Sequence, residues 1–152
     1  MDQTPDYMLR MMMEQANKYY KANSPIPGVG FIEAVDPENP SQRRGKVFES
    51  DIGVDDVDGL IGFARVMRGV VYRLNALDAG ILCELNISVD KQPPEPSAVI
   101  YLDQKYGSAR VLVAPLSGDA LAFKDFGAVH PTINFFPELF SADCYGPMQA
   151  EA

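Results

Sequence analysis

The clearest periodicity in the chain lies between residues 55 and 80. In DDVDGLIGFARVMRGVVYRLNALDAG, Leu60, Phe63, Ala64, Met67, Val70, Val71, Leu74 and Leu77 recur at the i, i+3, i+4, i+7 spacing of one helix face. Gly80 stands where a left-handed helix end belongs. The pattern predicts a helix of about 24 residues, roughly 36 Å long. Gly62 and Gly69 fall on one face of it, at a cost of about 0.8–1.0 kcal/mol each against alanine. An earlier helix is predicted over residues 5–22. Thr4 can cap it, Pro5 suits its first position, and Met8, Met12, Ala16 and Tyr19 repeat at helical spacing. Ser24 precedes Pro25 and is pushed out of the α region, so the helix stops near Asn23.

Elsewhere the period changes to two. In ILCELNISVD (81–90), Ile81, Cys83, Leu85, Ile87 and Val89 alternate with Leu82, Glu84, Asn86, Ser88 and Asp90, the pattern of a strand with one buried face. SAVIYLD and ARVLVAPL flank QKYGS, where Gly107 suits a short hairpin loop. Strands near 81–90, 98–103 and 108–116 therefore form an antiparallel meander. VGFIEAV (29–35) reads as a further strand, DPENPSQRRG (36–45) as a polar loop, and KVFES (46–50) as a short strand that returns beside it. ALAFKDF (120–126) fits a weak strand or a short helix, TINFF (132–136) looks extended, and residues 147–152 read as a loose tail.

These elements define a single α+β domain over residues 1–152. An antiparallel sheet, a three-strand meander plus N-terminal strands, packs on one long helix and an N-terminal helix. Both helices are expected on one face. The other, carrying Glu84, Asn86, Ser88, Tyr101, Asp103 and Arg110 among apolar residues, is left to solvent or a partner.

Charge narrows the choice of partner. The chain carries 21 acidic and 13 basic residues, a formal net charge of -8. A phosphate backbone is repelled at long range, whereas a basic protein is attracted. The expected partner is a protein, a basic one or a second copy of the chain, with no nucleic acid and no membrane. No apolar run approaches the length of a transmembrane helix, and MDQTPDYMLRMMMEQ lacks a basic region before an apolar one. The two cysteines, Cys83 and Cys144, show no CxxC spacing and require no oxidising compartment. The chain is expected in the cytoplasm.

Catalytic chemistry finds little support. DIGVDDVDGL (51–60) places four aspartates within eight positions. As a calcium loop, Asp56, Asp58 and Gly59 can fill positions 3, 5 and 6, but Val54 then occupies position 1 and Arg65 position 12. Two ligands fail. Asp55 or Asp56 suits a helix N-terminus better, where acids meet free N–H groups and the positive end of the helix dipole. His130 is the only histidine, and Cys144 follows it by 14 residues without a nucleophile signature around either. No GxGxxG, GxxxxGK[ST] or GxSxG pattern is present. No metal, cofactor or catalytic residue is assigned, and the chain is not expected to be an enzyme.

What remains is surface. YMLRMMMEQANKYY (7–20) is apolar nearly all round, which asks for burial on more than one side, within its own domain or against a second chain. Arg65, Arg68 and Arg73 lie outside the apolar stripe of the second helix. The residues expected to touch a partner are Met8, Met11, Met12, Tyr19, Tyr20, Arg65, Arg68 and Tyr101. The function expected is that of a small acidic inhibitor, immunity protein, antitoxin or secretion chaperone that covers a partner's surface. The alternatives are a structural subunit of a phage or secretion assembly or an obligate homo-oligomer, and a small ligand- or metal-binding enzyme domain with Asp51, Asp55, Asp103 and His130 gathered at one end of the sheet.

Overall fold

Two helices and six strands follow in the order α1 (Thr4–Lys21), β1 (Val29–Asp36), β2 (Asn39–Glu49), α2 (Val57–Leu74), β3 (Ala76–Ile87), β4 (Glu95–Gln104), β5 (Arg110–Pro115) and β6 (Lys124–Asp125). The computed structural model describes residues 4–49, 57–88, 93–106, 109–126 and 139–140. The aspartates at 51, 55 and 56, His130, the 132–136 segment, Cys144 and the 147–152 tail lie outside the described residues.

Both helices stop at an asparagine in the left-handed region, Asn23 at φ 54° and Asn75 at φ 52°. Asparagine tolerates this conformation better than most residues with a Cβ. After α1, Ser24 N–H donates to Tyr19 O (3.0 Å) and Asn23 N–H to Tyr20 O (3.1 Å), the paired bonds of a Schellman end. After α2, Asn75 N–H donates to Tyr72 O. This stop shortens the second helix to 18 residues, about 27 Å. Leu77 and Gly80, which continue the helical spacing, belong to β3. Gly80 pairs with Phe31 of β1 and Leu102 of β4, while Leu77 sits at a bulge opposite β1 and accepts from Lys105 N–H (2.9 Å), and this pairing overrides the local period.

The sheet is antiparallel throughout, in the order β2-β1-β3-β4-β5-β6, so the chain is an α+β protein. The stretch expected to be a polar loop, 36–45, is mostly strand. Pro37 and Glu38 alone make the turn, Glu38 N–H donates to Asp36 Oδ1 (2.9 Å), and β2 then runs for 11 residues back along β1. Its polarity has a simple cause: β2 is the outer strand and is exposed along almost its whole length. Pro40 is compatible with that edge position. At the opposite edge, the 120–126 segment is neither a helix nor a full strand; Lys124 and Asp125 alone pair with β5.

The two helices cover opposite faces of the sheet. On one face, Leu60, Phe63, Ala64, Met67 and Val71 of α2 pack over Ile32, Ile81, Cys83, Val99 and Val111. On the other, Met8, Leu9, Met12 and Ala16 of α1 pack over Phe31, Leu82, Ile100, Leu102 and Leu112. Each helix seats a methionine over a glycine. A Cβ on Gly30 would stand 2.6 Å from Met67 Sδ, and one on Gly80 would stand 2.7 Å from Met12 Cε. The expectation of both helices on one face therefore fails. The second face needs cover because its strands carry apolar residues there too, as Leu82, Ile100 and Leu112 show.

The assignment of side chains to that second face changes as well. Tyr101 pairs with Ile81 and Asp103 with Ala79, which places both on the α2 side, while Glu84 and Arg110 share the α1 side with Ala98 and Leu102. Tyr101 is 3% exposed and Asp103 6%. Asp103 is a fastening point: it accepts from Tyr101 Oη (3.3 Å), Gln104 N–H (2.8 Å) and Leu139 N–H (2.7 Å). Leu139 is thereby held in the α2-side core.

Candidate functional site

A concave surface beside α1 follows from the register of the β1–β2 hairpin. Val47 pairs with Phe31, Gly45 with Glu33 and Arg43 with Val35, so these six positions share the α1 face. α1 covers Phe31 but not the outer part of the hairpin. A groove of about 270 Å³ is left between them, walled by Tyr7, Met8, Met11, Phe31 and Val47 and ending at Glu33 and Arg43. Gly45 lies in it without a side chain; a Cβ there would find only Ile32 O, at 3.8 Å. Tyr7 and Val47, which wall it, are exposed at 49% each, and Val35, paired with Arg43 on the same face, at 38%.

Its polar end is built from the interior. Glu33 and Asp78 are buried carboxylates on β1 and β3, opposite one another in the register. Arg43 reaches both from β2, with Nη1 3.2 Å from Glu33 Oε1 and 3.6 Å from Asp78 Oδ2. Gln104 Nε2 donates to Asp78 Oδ1 at 3.0 Å. Buried carboxylates need such partners, since an isolated charge removed from water is costly. The network ties four strands together and puts ionic groups at the end of an apolar trough. Such a groove can take an apolar side chain and a hydrogen-bonding group beside it.

The residues singled out in the sequence are dispersed. Met8 and Met12 are buried at 2% and 0%, and Tyr101 lies in the opposite core, so these three are interior residues and not surface. The methionine-tyrosine helix is satisfied within its own domain. Met11, Met13, Tyr19 and Tyr20 pack partly buried against the α1-side core. Tyr20 Oη donates to Gly118 O (2.6 Å), and Leu121 N–H donates to Asn17 Oδ1 (3.3 Å), so the segment after β5 straps over the helix. Arg65 is exposed and Arg68 half-buried on the outer side of α2, away from the groove. Met8 and Met11 are the two sequence-selected residues that line it, Met8 from its buried floor and Met11 half-buried. Tyr7, Gly45 and Val47 were missed because nothing along the chain reports which hairpin residues oppose one another.

Among the described residues no group of three or more His, Cys, Asp or Glu side chains is arranged to hold a metal ion. Asp103, offered as one of an acidic set, is engaged by the Tyr101 hydroxyl and two backbone amides. Cys83 is buried, and burial, with Glu84 adding to it, pushes its thiol up to about 12. A thiol so far from ionisation is no nucleophile at neutral pH. No helix among the described residues is long and apolar enough to cross a membrane. No family model matches the chain, and no curated protein or solved structure matches it either.

Proposed function

We propose that the protein is a non-enzymatic protein-binding module of the inhibitor, immunity, antitoxin or secretion-chaperone kind, acting in the cytoplasm, and that it engages a basic partner with the face formed by α1 and the β1–β2 hairpin. The observation that carries this reading is the placement of Tyr7 and Val47, exposed apolar side chains that wall one groove. Apolar residues surrounded by polar ones are the usual centre of a contact surface. The net charge of -8 favours a cationic partner and speeds its arrival.

The contact is made by side chains and not by adding a strand to β2. An antiparallel pairing of two β2 strands about their middle sets basic residues opposite one another, Arg44 against Arg44, Arg43 against Lys46 or Arg44 against Lys46 depending on register, and like charges across a ladder repel. The same argument disfavours a homodimer built through that edge.

The test uses Gly45→Leu, which fills the groove where a Cβ meets nothing closer than ordinary contact. The native chain is expected to retain a basic protein in stoichiometric amount from its source cells, with affinity that falls as salt is raised. Gly45→Leu and Tyr7→Ala, both folded by circular dichroism, should lose it. Retention unchanged in both variants, or indifferent to salt, would overturn the proposal.

A further inference from the structure

We infer that the cavity at the C-terminal end of α2 binds a small organic anion, a carboxylate or phosphate monoester carried on an apolar body. The cavity has a volume of about 530 Å³, within the range that holds a small ligand. Its wall is apolar where it is deepest: Val71 and Ala76 are buried and Phe140 is half-buried. Its rim is cationic, with Arg73 from the last turn of α2 and Lys105 from the turn that follows β4.

Among the described residues no acid forms an ion pair with either cation. Among the described residues the ion pairs fall on Arg43, Arg44 and Arg110. Arg73 Nε donates to Gly69 O at 3.4 Å, and Lys105 Nζ to Asn75 Oδ1 at 3.0 Å while lying 5.6 Å from the Tyr106 ring centroid. A guanidinium has five N–H donors and an ammonium three, so these contacts leave most of the donors for a ligand. Asn75 sets the position of the ammonium, and Asn75 is itself fixed by its left-handed place at the helix end.

A plainer account would have both cations serve only the helix dipole. The magnitudes decide against it. The C-terminus of a helix carries about half an elementary negative charge, and two full cations exceed that by roughly 1.5. Of the described acids, Asp103 lies on the α2 side two residues before Lys105, is buried, and accepts from Leu139 N–H beside Phe140. Subtracting its charge as well still leaves an excess of about half a positive charge. Exposed acids farther off act weakly, since salt screens them beyond about 8–10 Å. The local field therefore favours an anion, even in an acidic protein. The apolar wall selects among anions: a bare ion would lose hydration against Val71, Ala76 and Phe140 and gain nothing from them. The planar fork of Arg73 matches the paired oxygens of a carboxylate or phosphate.

The experiment titrates the full chain with phenyl phosphate and with benzoate, and in parallel with inorganic phosphate and benzyl alcohol, following backbone amide shifts by NMR. Phenyl phosphate, benzoate or both should move the amides of residues 72–76 and of Lys105 at millimolar concentration. Inorganic phosphate and benzyl alcohol, each lacking one half of the ligand, should move them much less. Arg73→Gln and Lys105→Gln, both at exposed positions, should each weaken binding by about threefold or more without lowering the melting temperature. Benzyl alcohol binding as well as benzoate, inorganic phosphate binding as well as its phenyl ester, affinity unchanged in both variants, or shifts centred elsewhere would overturn the inference. Which of the two aromatic anions binds more tightly separates a carboxylate ligand from a phosphate one.

Discussion

Glu33 and Asp78 stand opposite each other on β1 and β3, and both reach the one guanidinium of Arg43. Arg43→Ala removes that donor from two carboxylates that are themselves buried. Stripping the partner from a buried charge costs about 3–5 kcal/mol, and the third of Arg43 that remains exposed lowers the expectation to about 2–3 kcal/mol. Arg43→Lys should recover only part of the loss, since an ammonium lacks the flat fork. Urea denaturation at neutral pH measures both.

The glycine seats beneath the helices give a second prediction. Gly30→Ala presses on Met67 Sδ and on the Phe48 ring, whose Cζ would lie 2.8 Å from the new Cβ. Overpacking of this kind costs about 1–3 kcal/mol. Met67→Ala alone is also destabilising, but in the double variant the clash with sulfur is gone. The two losses should therefore sum to less than their separate values, by about 0.5 kcal/mol or more in a double-mutant cycle.

How far this arrangement was legible beforehand depends on what each residue reports. The α+β class was, because Met8, Met12 and Ala16 repeat at helical spacing while Ile81, Cys83 and Leu85 alternate. The end of α2 was not: Leu77 and Gly80 continue the helical period, and the pairing of β3 with β1 and β4 on either side of the Leu77 bulge is what claims this segment for the sheet. Alternation within a strand is visible in sequence, but the phase between strands is not. That is why Tyr101 and Asp103 were placed on the wrong side of the sheet. The groove depends on the same unseen quantity, since Tyr7, Gly45 and Val47 meet only through the hairpin register. β2 was hidden for a different reason: an outer strand exposed on both faces has no apolar period to show.

Cys83 supplies a prediction in alkali. Its thiol ionises near 12 in the fold and near 8.5 in an unfolded chain. The folded state holds its proton more tightly, so the stability this group contributes is full below about pH 8.5 and is lost as pH rises toward 12. Stability should therefore fall through that range, and less so in Cys83→Ala once its lower baseline is subtracted. In a Cys144→Ser background, a thiol reagent at neutral pH should label the protein only on denaturation.

Asp36 acts in acid. The amide of Glu38, and Arg44 after it, hold its carboxyl below the ordinary range. A lowered carboxyl contributes stability above the unfolded value of about 3.9, and that contribution is lost as pH falls through the folded one. The melting temperatures of the native chain and Asp36→Ala should differ at neutral pH and converge below about pH 4.

The order of the strands carries a consequence for how the chain assembles. β1–β2, β3–β4, β4–β5 and β5–β6 each join neighbours in sequence, whereas β1–β3 closes across the whole of β2 and α2. The molecule is in effect two ribbons, each able to form locally, joined along one seam. Gly30 and Gly80 both lie on that seam, paired with Ile81 and Phe31, and Met67 and Met12 press on it from opposite sides. Closing the longest loop is the entropically slow step. The two methionines thus act as a clamp on the one strand pairing that the chain cannot make locally.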